Sequence, residues 1–263
     1  MKHKLTVLVH VGLILCFGTA LVFAQDAKPK SQLFIIHEDI VKPSMVGQYE
    51  KAAKNFAQKM KEHNITSMSY GAASSEDLHY LYATPIANMA ELDNNPEKEM
   101  TEKMGEDAVK TMFAQFANCY DSHKNFIVRK LTDLSYQPET NGSEDGEMNF
   151  IHWNFYHVQP GKEDEARAIS KEWNTLYASK NVPTGYNLYV GGIGVDMPLF
   201  VTTQRAKNGA DYQTQEAKIM ELLGEEGKAL TAKTMAITRK FESRNGWARP
   251  DLSYFPKSDL SAK

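Results

Sequence analysis

The chain has 263 residues, 42% of them hydrophobic, 24% charged and 10% aromatic, and a formal charge of −3. That composition excludes a disordered tail, a collagen-like fibre and a polytopic membrane protein. Basic side chains number 30 against 33 acidic ones, so no global positive field exists to hold nucleic acid.

The N-terminus reads as an address. Lys2 and Lys4 precede an apolar run from Leu5 to Ala24, Val22-Phe23-Ala24 offers small residues at the two positions a signal peptidase inspects, and Gln25-Asp26 begins polar sequence. Residues 1–24 are expected to be a cleaved signal and residues 25–31 a leader, giving an exported protein, periplasmic or secreted. A retained membrane anchor fits less well, because the run contains His10 and no basic cluster follows it at once. Cleavage removes two lysines, leaving 28 basic against 33 acidic side chains, a net charge of −5. It also removes Cys16, so Cys119 remains alone and no intrachain disulfide can form. Cys119 lies at helical spacing from Met112 and Phe116, which predicts a small buried hydrophobe.

Two marks recur along the rest of the chain. Asp133-Leu134-Ser135-Tyr136-Gln137-Pro138 returns as Asp251-Leu252-Ser253-Tyr254-Phe255-Pro256, 118 positions later. An apolar strand running into Val-x-Pro occurs at Val41-Lys42-Pro43 and again, 117 positions on, at Val158-Gln159-Pro160. Nearly one offset at two distant points predicts an internal duplication. Residues 32–138 then form a first repeat, 139–148 an acidic, glycine-bearing linker, 149–256 a second repeat and 257–263 a tail.

The elements follow in the same order in each half. A strand over residues 33–41, or 149–158, stops before its proline, where no ladder donor is needed. An amphipathic helix comes next, striped by Val46, Tyr49, Ala53, Phe56 and Met60, or by Ala166, Ile169, Trp173, Leu176 and Tyr177. Asn64 and Asn181 stand just beyond, at left-handed cap positions. Two strands follow, over 67–73 and 78–83 or 186–190 and 199–203, joined by Ser74-Ser75-Glu76-Asp77 or by Gly191-Gly192-Ile193-Gly194. The glycines join two strands and open no helix, so they read as a hairpin turn rather than a dinucleotide loop. A long second helix closes the half, carrying Val109, Met112, Phe113, Phe116 and Tyr120, or Leu230, Thr234, Ile237 and Phe241. The closing Asp-Leu-Ser-Tyr segment is expected to anchor through its Leu and Tyr and to add at most a short edge strand. The acidic run from Glu91 to Asp107 reads as a solvated helix start, and the methionines as core fillers.

This β-α-β-β-α order gives an α+β fold, an antiparallel sheet backed by helices on one face. With the Val-Lys-Pro and Val-Gln-Pro-Gly-Lys junctions, it resembles the dimeric α+β barrel (ferredoxin-like) superfamily, which includes antibiotic-biosynthesis-type monooxygenases, haem-degrading and haem-binding relatives and NIPSNAP-like proteins. The resemblance implies that two tandem repeats pair their sheets into a pseudo-dimeric barrel within one chain. It also implies two activities to weigh, a cofactor-independent monooxygenase and a haem-dependent oxidoreductase. No family motif beyond the junction matches position by position, so no catalytic residue is carried over.

Alternation along the first strand of each half divides its side chains. Ile151, Trp153 and Phe155, with Phe34 and Ile36, are expected to pack under the helices. His37, Asp39, His152, Asn154 and Tyr156 would then face the lumen, joined by His79 and Tyr82 from the third strand. These residues form the candidate ligand-binding set, apt for a small apolar or aromatic molecule between the repeats. Their imidazoles could ligate haem or a metal, or act as a base toward an aromatic substrate. A polar core that satisfies itself, in a structural or protein-interaction module, is the competing reading. Metal-ligand, phosphate-loop and nucleophile-elbow motifs are absent, so no metal is expected and the cofactor stays unassigned, with haem entering only through the resemblance. His63, His123 and His157 read as surface residues, and Arg129 and Arg249 as weak anion candidates. Among partners, a small hydrophobic ligand and a homo-oligomer remain open, while nucleic acid and a stable membrane anchor do not.

Overall fold

A computed structural model of the chain describes residues 30–138 and 148–257. The expected signal, most of the leader and linker, and the tail beyond Lys257 lie outside the described residues.

The first half runs β1 (Ser31–Val41), α1 (Val46–Glu62), β2 (Gly71–Ser75), β3 (His79–Ile86), α2 (Pro96–Met104), α3 (Glu106–Ala114) and β4 (Tyr120–Leu131). The second runs β5 (Phe150–Val158), α4 (Glu163–Ser179), β6 (Tyr186–Gly191), β7 (Leu199–Ala206), α5 (Gly209–Ala236) and β8 (Thr238–Ala248). The first strands end two residues before Pro43 and Pro160, as their missing N–H groups require. Asn64 and Asn181 take left-handed φ values of 45° and 49° past the ends of α1 and α4. Gly105, at φ 85°, separates α2 from α3, and Gly224, at φ 53°, breaks α5.

All eight strands pair antiparallel in one closed barrel, in the order β1-β3-β2-β8-β5-β7-β6-β4. Strands 1–4 thus form one four-stranded sheet and strands 5–8 another. Two short ladders close the ring. Ala73, Ser74 and Ser75 of β2 face Ala248, Trp247 and Gly246 of β8, while Val128, Arg129 and Lys130 of β4 face Gly191, Val190 and Tyr189 of β6. Among the described residues, closure leaves no open sheet edge for another chain to extend.

Ile151, Trp153, Leu199 and Val201 pack together inside the barrel, with Ala73, Leu81, Phe155, Tyr189 and Ala248 against them. The helices lie outside. Val158, Ile169, Leu176, Phe200, Ile219 and Leu230 form the core between the second sheet and α4 and α5, and Val41, Tyr49, Ala53, Tyr80 and Cys119 belong to the core under α1. Cys119 is fully buried, and burial pushes its thiol pKa up. Among the described residues no helix is long and apolar enough to cross a membrane.

Two expectations are corrected. Each half has a fourth full strand: Tyr120 opens β4 and Phe241 lies in β8, where a helical stripe was expected. The faces of the first strands are reversed. Ile151, Trp153 and Phe155 fill the barrel, while His152, Asn154 and Tyr156 look outward to α4 and α5. Both faces of a strand in such a barrel are covered, so an apolar face does not by itself point to the helices. A further finding concerns the two closing segments, which anchor through Leu and Tyr as expected and lie across the half opposite their own. Ser135 Oγ accepts the Leu188 amide at 2.9 Å and Tyr136 bridges to Tyr186; Ser253 Oγ accepts the Ala72 amide at 2.8 Å and Tyr254 bridges to Tyr70.

Candidate functional site

A cavity of about 500 Å³ lies between the outer face of strands 5–8 and the helices α4 and α5. Alternation on β5 aims His152, Asn154 and Tyr156 into it, and β7 adds Phe200, Thr202 and Gln204. Helix α4 supplies Ile169, Trp173 and Tyr177, and α5 supplies Tyr212, Glu216, Ile219 and Leu223. The wall is mainly apolar and aromatic. Met220, Met235 and Phe241, each more than 40% exposed, stand at its opening.

Several polar groups in this wall are fixed. The His152 ring stacks on Tyr212 with centroids 4.3 Å apart. Its Nδ1 lies 2.8 Å from Asn245 Oδ1 and its Nε2 3.0 Å from Asn154 Oδ1. Trp173 Nε1 donates to Thr234 at 3.0 Å. Burial pushes the Tyr156 hydroxyl up to about 12, its contact with Thr202 opposing the shift and the nearby Glu216 adding to it. Tyr177, Tyr186 and Tyr212 are also held protonated by burial. The cavity thus offers neutral hydroxyls, amides, one oriented imidazole and the Glu216 carboxylate along an aromatic slot.

Haem does not fit this donor set. His152 is the only imidazole among the lining residues, and both of its ring nitrogens are already engaged by side-chain amides. An iron bond there would have to break one of them.

The structure divides the rest of the expected set. His37 and Asp39 lie on the outer face of the first sheet, under α1, and Tyr82 joins them, its hydroxyl 3.1 Å from that of Tyr49, whose own proton goes to Asp39. Aromatic side chains fill the space that is open in the second half: the ring of Tyr49 lies 4.7 Å from that of Tyr80 and 5.4 Å from that of Phe116. Burial disfavours a charged His37, but the Asp39 carboxylate and Asn125 outweigh it and hold the His37 pKa above its ordinary value. His79 belongs to neither group, because it sits one residue out of phase on the inner face of the barrel. Its Nδ1 is 2.8 Å from Glu38 Oε1. Lys124 pairs with Glu38 Oε2 at 2.7 Å, and the Arg244 guanidinium covers the Phe155 ring at 5.2 Å. Burial would raise the Glu38 pKa; its bonds to His79 and Lys124 instead hold it at about 2.

Two histidines read as surface residues are not ordinary ones. His157 is buried and meets Glu242 at 2.9 Å. His123 stands opposite Asp39 in the ladder between β1 and β4. With no strand read over residues 120–131, that register could not be drawn from the sequence. Arg249 is not free for an anion, since it is paired internally with Asp251 and Glu50.

No family model matches the chain, and no curated protein matches it. Solved structures do. An anthrone oxidase-like protein is 13% identical, covering 84% of this chain and 92% of its own at a TM-score of 0.54. A candidate monooxygenase from Lactobacillus acidophilus NCFM is 11% identical, covering 83% and 94% at 0.50. Another, from Fusobacterium nucleatum subsp. nucleatum ATCC 25586, is 13% identical, covering 84% and 93% at 0.51. The shared architecture is that of the dimeric α+β barrel.

Proposed function

We propose that the protein binds a small, flat, apolar or aromatic molecule in the cavity between strands 5–8 and the helices α4 and α5. The observation that carries this reading is a 500 Å³ slot lined by aromatic and aliphatic side chains, with a few oriented polar groups. The ligand is therefore placed on the outer face of one sheet, not between the repeats. In this reading the two halves are tandem copies whose sheets pair as a pseudo-dimer, and aromatic side chains have filled the corresponding space in the first copy. The signal-like residues 1–24 support an exported protein.

Cofactor-independent oxidation of the bound molecule is the second reading. The Glu216 carboxylate favours it, since it lies in the cavity wall with no hydrogen-bonding partner among the described residues, on the helix that also carries Tyr212. A carboxylate so placed could take a proton from an acidic carbon or hydroxyl of the ligand.

Anthrone and related three-ring aromatics are the probes suggested by the first structural neighbour. Titrating them against the purified protein, followed by Trp173 fluorescence and thermal shift, should give saturable binding. Ser170→Phe, which projects into the cavity from α4, should abolish that binding while the fold survives. Oxygen uptake with anthrone, lost in Glu216→Gln, would establish the enzymatic reading. Failure of every probe to bind would leave a structural or protein-interaction module, and binding unaffected by Ser170→Phe would move the ligand out of this cavity.

A further inference from the structure

We propose that His37, Asp39 and His123 form a binding site for one divalent transition-metal ion of the zinc class, with its remaining coordination position open to solvent. The three side chains each offer one ligand atom, and all three atoms lie within 4.8 Å of one another. His37 and Asp39 are two apart on β1 and share a face, and the ladder sets His123 of β4 directly opposite Asp39. His37 Nε2 is 3.3 Å and His123 Nδ1 3.4 Å from Asp39 Oδ1. Tetrahedral bonds of about 2.0–2.1 Å place neighbouring ligand atoms about 3.3–3.4 Å apart, so both separations suit a small ion held between them.

The carboxylate gives an independent indication. Asp39 is 97% buried, yet its Oδ1 accepts no well-directed hydrogen bond. The imidazoles of His37 and His123 reach it only as contacts off the hydrogen-bond direction, and a buried carboxylate oxygen without a well-directed donor is costly unless a cation occupies the space before it. Its other oxygen is provided for, because the Tyr49 hydroxyl donates to Oδ2 at 2.6 Å. His37 is arranged in the same way. Its Nδ1 lies 2.9 Å from Asn125 Oδ1, so a proton on Nδ1 donates to the amide and leaves the Nε2 lone pair toward the cluster. Ligating atoms face inward and each buried ligand is oriented by an outer partner, as metal sites require. His123, stacked on Tyr120 with centroids 5.6 Å apart and half exposed, forms the solvent-side wall and the route of entry. Two imidazoles and one carboxylate suit zinc, cobalt or ferrous iron better than calcium or magnesium.

The site lies on the first sheet and the ligand cavity on the second, so the two proposals stand or fall separately. The test uses full-length, tag-free protein stripped with chelator and titrated with Co²⁺, whose visible absorption reports coordination, and then with Zn²⁺ in competition. One Co²⁺ per chain should bind, and Zn²⁺ should displace it. His123→Ala and Asn125→Ala alter exposed side chains and should leave the fold intact. The first should abolish the cobalt spectrum, and the second should weaken affinity about 10–100-fold by freeing the His37 ring. His63→Ala, at the far end of α1, should change nothing. No stoichiometric uptake by the wild-type chain would overturn the proposal. So would unchanged cobalt affinity in folded His123→Ala.

Discussion

Ser253 and Ala72, separated by 181 positions, are joined by a 2.8 Å hydrogen bond from the alanine amide to the serine hydroxyl. The Ser253 hydroxyl in turn donates to the Arg249 carbonyl at 2.8 Å. Ser135 does the same on the opposite side, accepting from the Leu188 amide and donating to the Leu131 carbonyl at 2.7 Å. The recurring Asp-Leu-Ser-Tyr string is therefore a clasp, and each copy fastens the sheet to which it does not belong.

Removing either hydroxyl strands a backbone N–H that has no other strand to pair with. Ser135→Ala, at the more buried site, and Ser253→Ala should each lower unfolding free energy by about 1–3 kcal/mol. Denaturant midpoints at unchanged slope would show it, and the two losses should add, because the clasps lie on different ladders.

The ladder between β2 and β8 leaves no room for a side chain at Gly246. A Cβ there would stand 2.1 Å from the Ser74 carbonyl oxygen and 2.7 Å from Ser75 Cα. Gly246→Ala should force these strands apart and cost at least about 1–3 kcal/mol. Faster amide exchange should appear in Ser74 and Ser75 before it reaches the centre of β5.

The reversal of faces on β5 can be tested by neighbouring substitutions. Trp153 is 92% buried inside the barrel, so Trp153→Ala should cost about 3–5 kcal/mol and leave the cavity wall in place. His152→Ala, one residue away, should change stability far less and weaken binding of the aromatic probes instead. The opposite pattern would restore the lumen as the binding place.

Acid should loosen the joint between the end of the chain and α1. Arg249 and Lys54 beside Asp251 hold its pKa at about 2, below the ordinary carboxylate range. Because the folded value is depressed, this pairing contributes fully above the unfolded value near pH 4 and is lost as pH falls through about 2. Asp251→Asn should be less stable than the wild type at neutral pH, and the difference should shrink toward pH 2. The group is well exposed, so salt should reduce the effect.

The sequence displayed the two Val-x-Pro junctions and the asparagine caps because their conformational preferences are local. It concealed β4 and β8. Tyr120 lies four residues beyond Phe116 and Phe241 four beyond Ile237, so the opening residues of each strand include one where a helical stripe would place its next. It also concealed the orientation of β5, since burial on both faces removes the contrast by which alternation is read. The His37–Asp39–His123 cluster needed the register between β1 and β4, and no pattern within either strand supplies that. His152, Asn154 and Tyr156 were legible as one face of a strand, although which layer they met was not.

The clasp at Ser253 also sets an order of events. During synthesis the first sheet can be complete by Leu131, yet β2 has no outer neighbour until β8 has been made more than a hundred residues later. For that interval the Gly71–Ser75 edge stays unpaired and able to capture another strand. Its native partner must then be found across a long loop, the kind of contact that slows folding. The nascent chain is therefore most vulnerable to aggregation after its first half has formed, and that period ends only when β8 and Ser253 have been made.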